Sequence, residues 1–146
     1  MNNEAECCTI IKNSFITLGQ VMWKIPDPSG QYTQTIQRPF DLFGTWRGKP
    51  IYMEVKYINK LKSFDLQRIE EHQITSLLAL KNALPESICC IALGVKVGRG
   101  DNRIYFFTDI YDIERRRTNK QNYKKKELES LPYYPIHKDL IQLETN

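Results

Sequence analysis

Between Arg38 and Lys56 the chain reads RPFDLFGTWRGKPIYMEVK, and apolar and polar positions alternate on either side of a glycine turn. The alternation predicts two short β-strands joined by a tight turn at Arg47-Gly48, with Trp46 facing Lys49. Continuing that antiparallel register pairs Leu42 with Met53 and Asp41 with Glu54. Side chains alternate along a strand, so Glu54 and Lys56 share the face of Asp41. The other face carries Phe40, Leu42 and Trp46 against Ile51, Met53 and Val55. One register therefore buries an apolar surface and gathers two carboxylates and an ammonium on the opposite side.

The pattern predicts further elements around this hairpin. Residues 4–18 form a helix with Ile11, Phe15 and Leu18 on one stripe and Gly19 as terminator. Projecting the stripe back seven residues puts Glu4 on the inward side, whereas Glu6 falls with Asn13 and Thr17 on the polar side. Residues 20–25 form a short strand, followed by the proline-bounded loop IPDPSGQYTQTIQRP. After the hairpin comes a basic connection from Tyr57 to Phe64, containing Lys60 and Lys62. A helix then starts near Ser63 or Asp65 and runs to about Leu84, with Leu66, Ile69, Gln73, Leu77, Leu80 and Leu84 on one stripe.

Gln73 is the polar exception on that stripe. A buried amide left unpaired costs ~1–3 kcal/mol, so it either satisfies nearby backbone or water, or borders the acidic site and contacts water or a phosphate there. His72 lies off the stripe and is assigned no catalytic role. Residues 88–97 (ICCIALGVKV) form a continuous central strand, and residues 103–108 form another beyond a GRGDN turn. The segment DIYDIERRR, a basic loop, a helical turn at Lys126–Ser130 and the tail LPYYPIHKDLIQLETN complete the chain. The order α-β-β-β-α-β-β-α predicts an α/β fold, one mixed sheet with helices packed on it.

The chain has 146 residues, 41% of them hydrophobic and 26% charged, as expected for a single domain spanning residues 1–146. No stretch approaches the ~18–20 apolar residues of a membrane span. The start, MNNEAECC, lacks the basic-then-apolar layout of a secretory signal, so a cytoplasmic location is expected. The net charge of +4 is unevenly spread: RRRTNKQNYKKK, from Arg115 to Lys126, holds seven basic residues and no acid. Such a run is either a solvated loop or a phosphate-contacting surface. The cysteines form two adjacent pairs, Cys7-Cys8 and Cys89-Cys90. Adjacent cysteines lack the spacing of metal ligands and point to opposite faces of a strand, which favours free buried thiols.

Magnesium takes oxygen ligands and commonly uses one or two carboxylates plus waters and substrate phosphates. Asp41 and Glu54 suit that role, Lys56 projects beside Glu54 to orient water or neutralise a phosphate oxygen, and Glu4 offers a further acid from the first helix. The bland reading is a solvent-facing Glu–Lys pair with an incidental aspartate, since E-x-K alone is common.

The central stretch resembles the PD-(D/E)xK nuclease superfamily, and within it the RecU-type Holliday junction resolvases. Pro39-Phe40-Asp41 and Glu54-Val55-Lys56 carry the superfamily signature. Asp41-x-x-Gly44, Gly48-Lys49-x-Ile51 and the SFDLQRIEEHQ helix match the closer pattern. KIPDP is similar to that family's K-x-P-T-P, and LPYYPI to its C-terminal end. The resemblance implies a restriction-endonuclease-like domain and a homodimeric, Mg²⁺-dependent endonuclease that cuts branched DNA by paired nicks, with Mn²⁺ as an alternative ion. Carried over by position, Asp41 and Glu54 become metal ligands, Lys56 the catalytic lysine, Glu4 the helix acid and Gln73 the helix glutamine. DNA contacts are expected from Lys60, Lys62, Arg68, Arg99, Arg115, Arg116, Arg117, Lys124, Lys125 and Lys126. One feature departs from the family: only ten residues, Ser29 to Arg38, separate Pro28 from Pro39, too few for its stalk insertion. A duplex or flap nuclease of the same superfamily and a non-catalytic DNA-binding module are the alternative readings.

Overall fold

The structure, a computed structural model, describes residues 1–26 and 38–143. Asp27, Pro28 and all but the last residue of the segment Ser29–Arg38, where the stalk insertion would fall, lie outside the described residues. Strands β1 (Met22–Lys24), β2 (Leu42–Trp46), β3 (Lys49–Ile58), β4 (Ile88–Gly98), β5 (Asp101–Phe107), β6 (Tyr134–His137) and β7 (Leu140–Ile141) form a seven-stranded mixed sheet in chain order. Neighbours are antiparallel except β3 and β4, which run parallel. A parallel pair needs a crossover, and here helix α2 (Glu71–Ala83) lies within it. β4 is buried on both faces, which explains its unbroken apolar run.

Helix α1 (Glu4–Thr17) covers one face of the sheet, where Cys7, Ile11 and Phe15 pack with Leu42, Met53, Val55, Cys90 and Ala92. On the other face Ile74 and Leu77 of α2, Ile110 and Ile113 of α3 (Ile110–Thr118) and Leu128 of α4 (Lys125–Ser130) pack with Cys89, Ile91 and Leu93. Adjacent Cys89 and Cys90 thus enter opposite layers, and all four cysteines are free and buried, as expected. No helix of the described residues is long and apolar enough to cross a membrane.

The hairpin register is the expected one, with Trp46 opposite Lys49 and Leu42 opposite Met53. Its turn residues Arg47 and Gly48 both have positive φ, 49° and 82°, matching the right-handed twist of the strands. Phe40 corrects the expected apolar face. The pleat begins only at Leu42, so Phe40 joins the opposite layer, edge-on to Tyr52 with ring centroids 5.4 Å apart.

The helix expected from residue 63 or 65 to 84 is broken. A 3-10 turn at Leu66–Arg68 precedes α2, and Ile69 between them is extended. Phe64 and Tyr123 exchange backbone hydrogen bonds of 2.8 and 3.2 Å, which holds the chain extended before the turn. The stripe consequently divides: Leu66 and Ile69 are buried from the turn, Ile74 joins Leu77 from the helix, and Leu84 is 44% exposed. Leu18 is likewise exposed, as the residue that ends α1.

Two C-terminal features also differ from expectation. Arg115–Arg117 belong to the last turn of α3 rather than to a loop, a placement that complements the helix dipole. Asp109 caps that helix by accepting the Asp112 N–H at 3.1 Å. The tail folds into the β6–β7 hairpin, whose turn residues Lys138 and Asp139 both have positive φ.

Candidate active site

Asp41 sits between two strands just before β2. Its N–H donates to the Met53 carbonyl and its own carbonyl accepts the Ile25 N–H, both at 2.9 Å. With that backbone fixed, Oδ2 accepts the Val55 N–H at 2.8 Å, taking the place of a ladder bond where β2 has not yet begun. Oδ1 lies 3.4 Å from Arg38 Nη1.

Glu54 projects from β3 with only 2% of its surface exposed. One carboxylate oxygen, Oε2, is 3.2 Å from Lys56 Nζ, and Lys56 is itself buried. The other, Oε1, is buried with no hydrogen-bond partner. Burial first, and then the charge of Asp41 and a hydrogen bond to it, push the Glu54 carboxyl up to about 9 against the opposing pull of Lys56. At neutral pH the metal-free Glu54 carboxyl therefore keeps its proton. Its own burial, with Asp41 adding to it, pushes the Cys8 thiol up to about 12, so without a bound cation it stays protonated at neutral pH.

An orphaned, nearly inaccessible carboxylate oxygen beside a second carboxylate is the donor set that a hard divalent cation completes. The residues present fit such an ion through Asp41 and Glu54. They do not extend to Glu4: among the described residues no group of three or more His, Cys, Asp or Glu side chains gathers to hold a metal. Glu4, on the first turn of α1, pairs instead with Arg68 at 3.3 Å, its side chain 45% exposed. Glu6 serves the chain terminus, accepting the Asn2 N–H at 2.8 Å.

Gln73 takes the backbone-satisfying course. Its Oε1 accepts the Glu70 N–H at 3.0 Å, closing the first turn of α2. The neighbouring His72 plays a supporting part, with Nε2 3.0 Å from the Arg38 carbonyl oxygen and Nδ1 3.2 Å from Glu70 Oε2. The ring thereby ties α2 to the backbone of the arginine that faces Asp41. Arg38 was not among the residues singled out from the sequence, although its place three residues before Asp41 was a signal within reach.

The parallel β3–β4 pair brings the segment after β3, with Lys60 and Lys62, to the same end of the sheet as the β4–β5 turn with Arg99. Lys62 and Arg68 line one hollow there, and Arg115, Arg116, Lys120 and Lys124 line a second, with Ser63 common to both. The basic residues divide by role. Arg116 bonds Asp112 and Glu127 at 3.2 and 3.1 Å and stacks on Tyr123, while Arg117 Nε donates to the Ile69 carbonyl at 2.8 Å. Arg115 pairs with Asp112 and Lys125 with Glu129, both at the surface. Lys60, Lys62, Arg99, Lys120, Lys124 and Lys126 are exposed.

The sequence profile described as RecU, Recombination protein U, matches residues 20–146, a span that includes Asp41, Glu54, Lys56 and Gln73 but not Glu4. Among solved structures, the Holliday junction resolvase Hjc of Archaeoglobus fulgidus matches over 81% of this chain and 93% of its own, at 13% identity and a TM-score of 0.41. No curated protein matches the chain. With the profile spanning most of its length, the chain belongs to the RecU family of Holliday junction resolvases.

Proposed function

We propose that Asp41, Glu54 and Lys56 form the catalytic centre of this endonuclease and that Asp41 and Glu54 hold Mg²⁺, with Mn²⁺ able to replace it. The observation that carries this reading is the unpartnered Glu54 Oε1 beside Asp41. A bound divalent ion supplies Lewis-acid charge and lowers the pKa of water in its reach. Asp41 is locked by three hydrogen bonds through its backbone and Oδ2. Glu54 and Lys56 stand on one face of β3, so the ammonium orients water or offsets charge on a non-bridging phosphate oxygen. Gln73 supports the site through α2, and Glu4 with Arg68 borders it. Hydrolysis leaves a 5′-phosphate and a 3′-hydroxyl.

On this reading residues 1–146 act as a single nuclease domain and two copies assemble with twofold symmetry, because paired nicks in a symmetric junction need two centres. DNA runs along the rim of Lys60, Lys62, Arg68, Arg99, Arg115 and Lys124–Lys126. Removing Lys60 and Lys62 together lowers affinity for every DNA and reduces the slope of log affinity against log salt by about 2. Arg116→Ala acts differently, lowering thermal stability because it unfastens α3 from α4. Salt titrations and melting curves of the two variants separate these effects.

Cation binding has its own signature. Glu54 must lose its proton for the ion to enter, so affinity for Mg²⁺ rises with pH up to about 9. Calorimetry at pH 7 in buffers of different ionisation enthalpy reads about one proton released per cation. No proton release would show that Glu54 is not a ligand.

Labelled four-way junction, flap and linear duplex, each incubated with Mg²⁺ or with EDTA, test the substrate. Metal-dependent paired nicks in the junction are expected. Equal cutting of linear duplex would favour the duplex or flap nuclease, and binding without metal-dependent cutting would favour the non-catalytic module.

A further inference from the structure

The edge strand β1 carries a tryptophan that the core does not use. Trp23 is 52% exposed, while its strand neighbour Met22 is 2% exposed on the opposite side. Trp23 pairs with Phe43 across β1–β2, and Phe43 pairs with Tyr52 across β2–β3. The rings of Trp23 and Phe43 lie 5.4 Å apart and tilted by 36°, and Phe40 meets Tyr52 edge-on. Four aromatic rings thus support a ledge whose outermost member keeps much of its surface open.

The ledge lies on the catalytic face. Tyr52 and Glu54 are two residues apart on β3, so both side chains leave the same side of the sheet, ~7 Å apart along the strand. Two strand spacings, ~10 Å, separate Trp23 from Tyr52. Trp23 is therefore ~12 Å from Glu54, three or four base steps at the ~3.4 Å rise of a DNA strand. Arg38, 3.4 Å from Asp41, adds positive charge beside the carboxylates.

An exposed indole braced by a second ring, within a few nucleotides of the cutting carboxylates, is suited to stacking on a base that has lost its own neighbour. A continuous duplex offers no such base, whereas a branch point does. We propose that Trp23 is a branch-reading residue that stacks on a nucleobase unstacked at the junction and so favours branched over linear DNA. This rests on the catalytic centre being where the preceding reading puts it.

The protein has two tryptophans, Trp23 and Trp46. Trp46→Phe leaves Trp23 as the fluorescence reporter with its ring unaltered. In EDTA, saturating four-way junction is expected to quench Trp23 strongly and linear duplex of the same length only weakly. Trp23→Ala is expected to weaken junction binding about tenfold and leave duplex binding unchanged, with Trp23→Phe retaining most of the affinity. Equal quenching by both DNAs, or equal weakening of both by Trp23→Ala, overturns the proposal. A shift in oligomeric state with DNA binding intact assigns Trp23 to a protein contact and overturns it too. Wild-type protein that binds junctions while Trp23 stays unquenched overturns this inference alone. Failure of the wild type to bind junctions removes the substrate reading beneath it.

Discussion

Glu54→Gln is expected to abolish cleavage and, in the absence of metal, to stabilise the protein at neutral pH. On the proposed reading Glu54 holds the cation, and losing that carboxylate removes several kcal/mol of charge stabilisation, a drop of about three orders of magnitude in rate. The gain in stability follows from linkage. Glu54 ionises near 4.5 when unfolded and at about 9 when folded. Its contribution to folding is complete below the unfolded value and is lost as pH rises towards the folded one, so the metal-free wild type weakens across that window. Glutamine carries no proton to lose. The altered contact with the Lys56 ammonium offsets part of the benefit, leaving a net gain of about 1–3 kcal/mol at pH 7, or a melting temperature higher by roughly 3–10 °C. Melting curves in EDTA from pH 5 to pH 9 read this directly. A variant less stable than wild type throughout would make Glu54 a structural ion-pair partner instead.

Gly44→Ala is expected to be among the most damaging single substitutions outside the proposed catalytic residues. A Cβ on Gly44 would overlap the Val21 carbonyl oxygen and lie 2.8 Å from the Val21 carbonyl carbon and 2.9 Å from Met22 Cα. These are backbone atoms at the start of a three-residue strand, with no rotamer to yield, so β1 is pushed from β2. The pairing of Met22, Trp23 and Lys24 with β2 is lost, together with the burial of Met22 and the Ile25 N–H that positions Asp41. The expected cost is ~3 kcal/mol or more in urea unfolding, with cleavage falling alongside. Gly48→Ala meets no atom within 4 Å and carries only the ~1 kcal/mol strain of a positive φ. If the two variants are equally stable, the close approach of β1 is not what requires Gly44.

The close approach also gives a physical reason for the glycine in the Asp41-x-x-Gly44 pattern. How far the sequence could be read depended on whether local chemistry or distant contact decided each element. The β2–β3 register was legible because the Arg47-Gly48 turn sets it, and every pair in the hairpin follows from that turn. Gln73 was visible as an anomaly, and one of its two readings proved to describe its hydrogen bond. The break in the 63–84 segment was not legible, since it depends on Phe64 meeting Tyr123, 59 residues further along. Phe40 misled because strand alternation was extended one step beyond where pairing begins. The arginine run read as a loop through its charge, while Ile110 and Ile113, which bury the face of α3, precede it. Glu4 was placed inward by its helical phase, but Arg68 arrives from a separate segment to claim it.

On the proposed reading the Asp41–Glu54 pair makes this fold a metal-dependent nuclease, and cleavage of one labelled four-way junction by the wild type and by Asp41→Asn decides it. In that variant the side-chain oxygen still accepts the Val55 N–H, so the fold is retained. The wild type is predicted to place paired nicks with Mg²⁺ and none with EDTA, and the variant to bind the junction with near wild-type affinity and leave it intact. Metal-dependent cleavage persisting in Asp41→Asn, or wild-type cleavage undiminished in EDTA, would contradict the account.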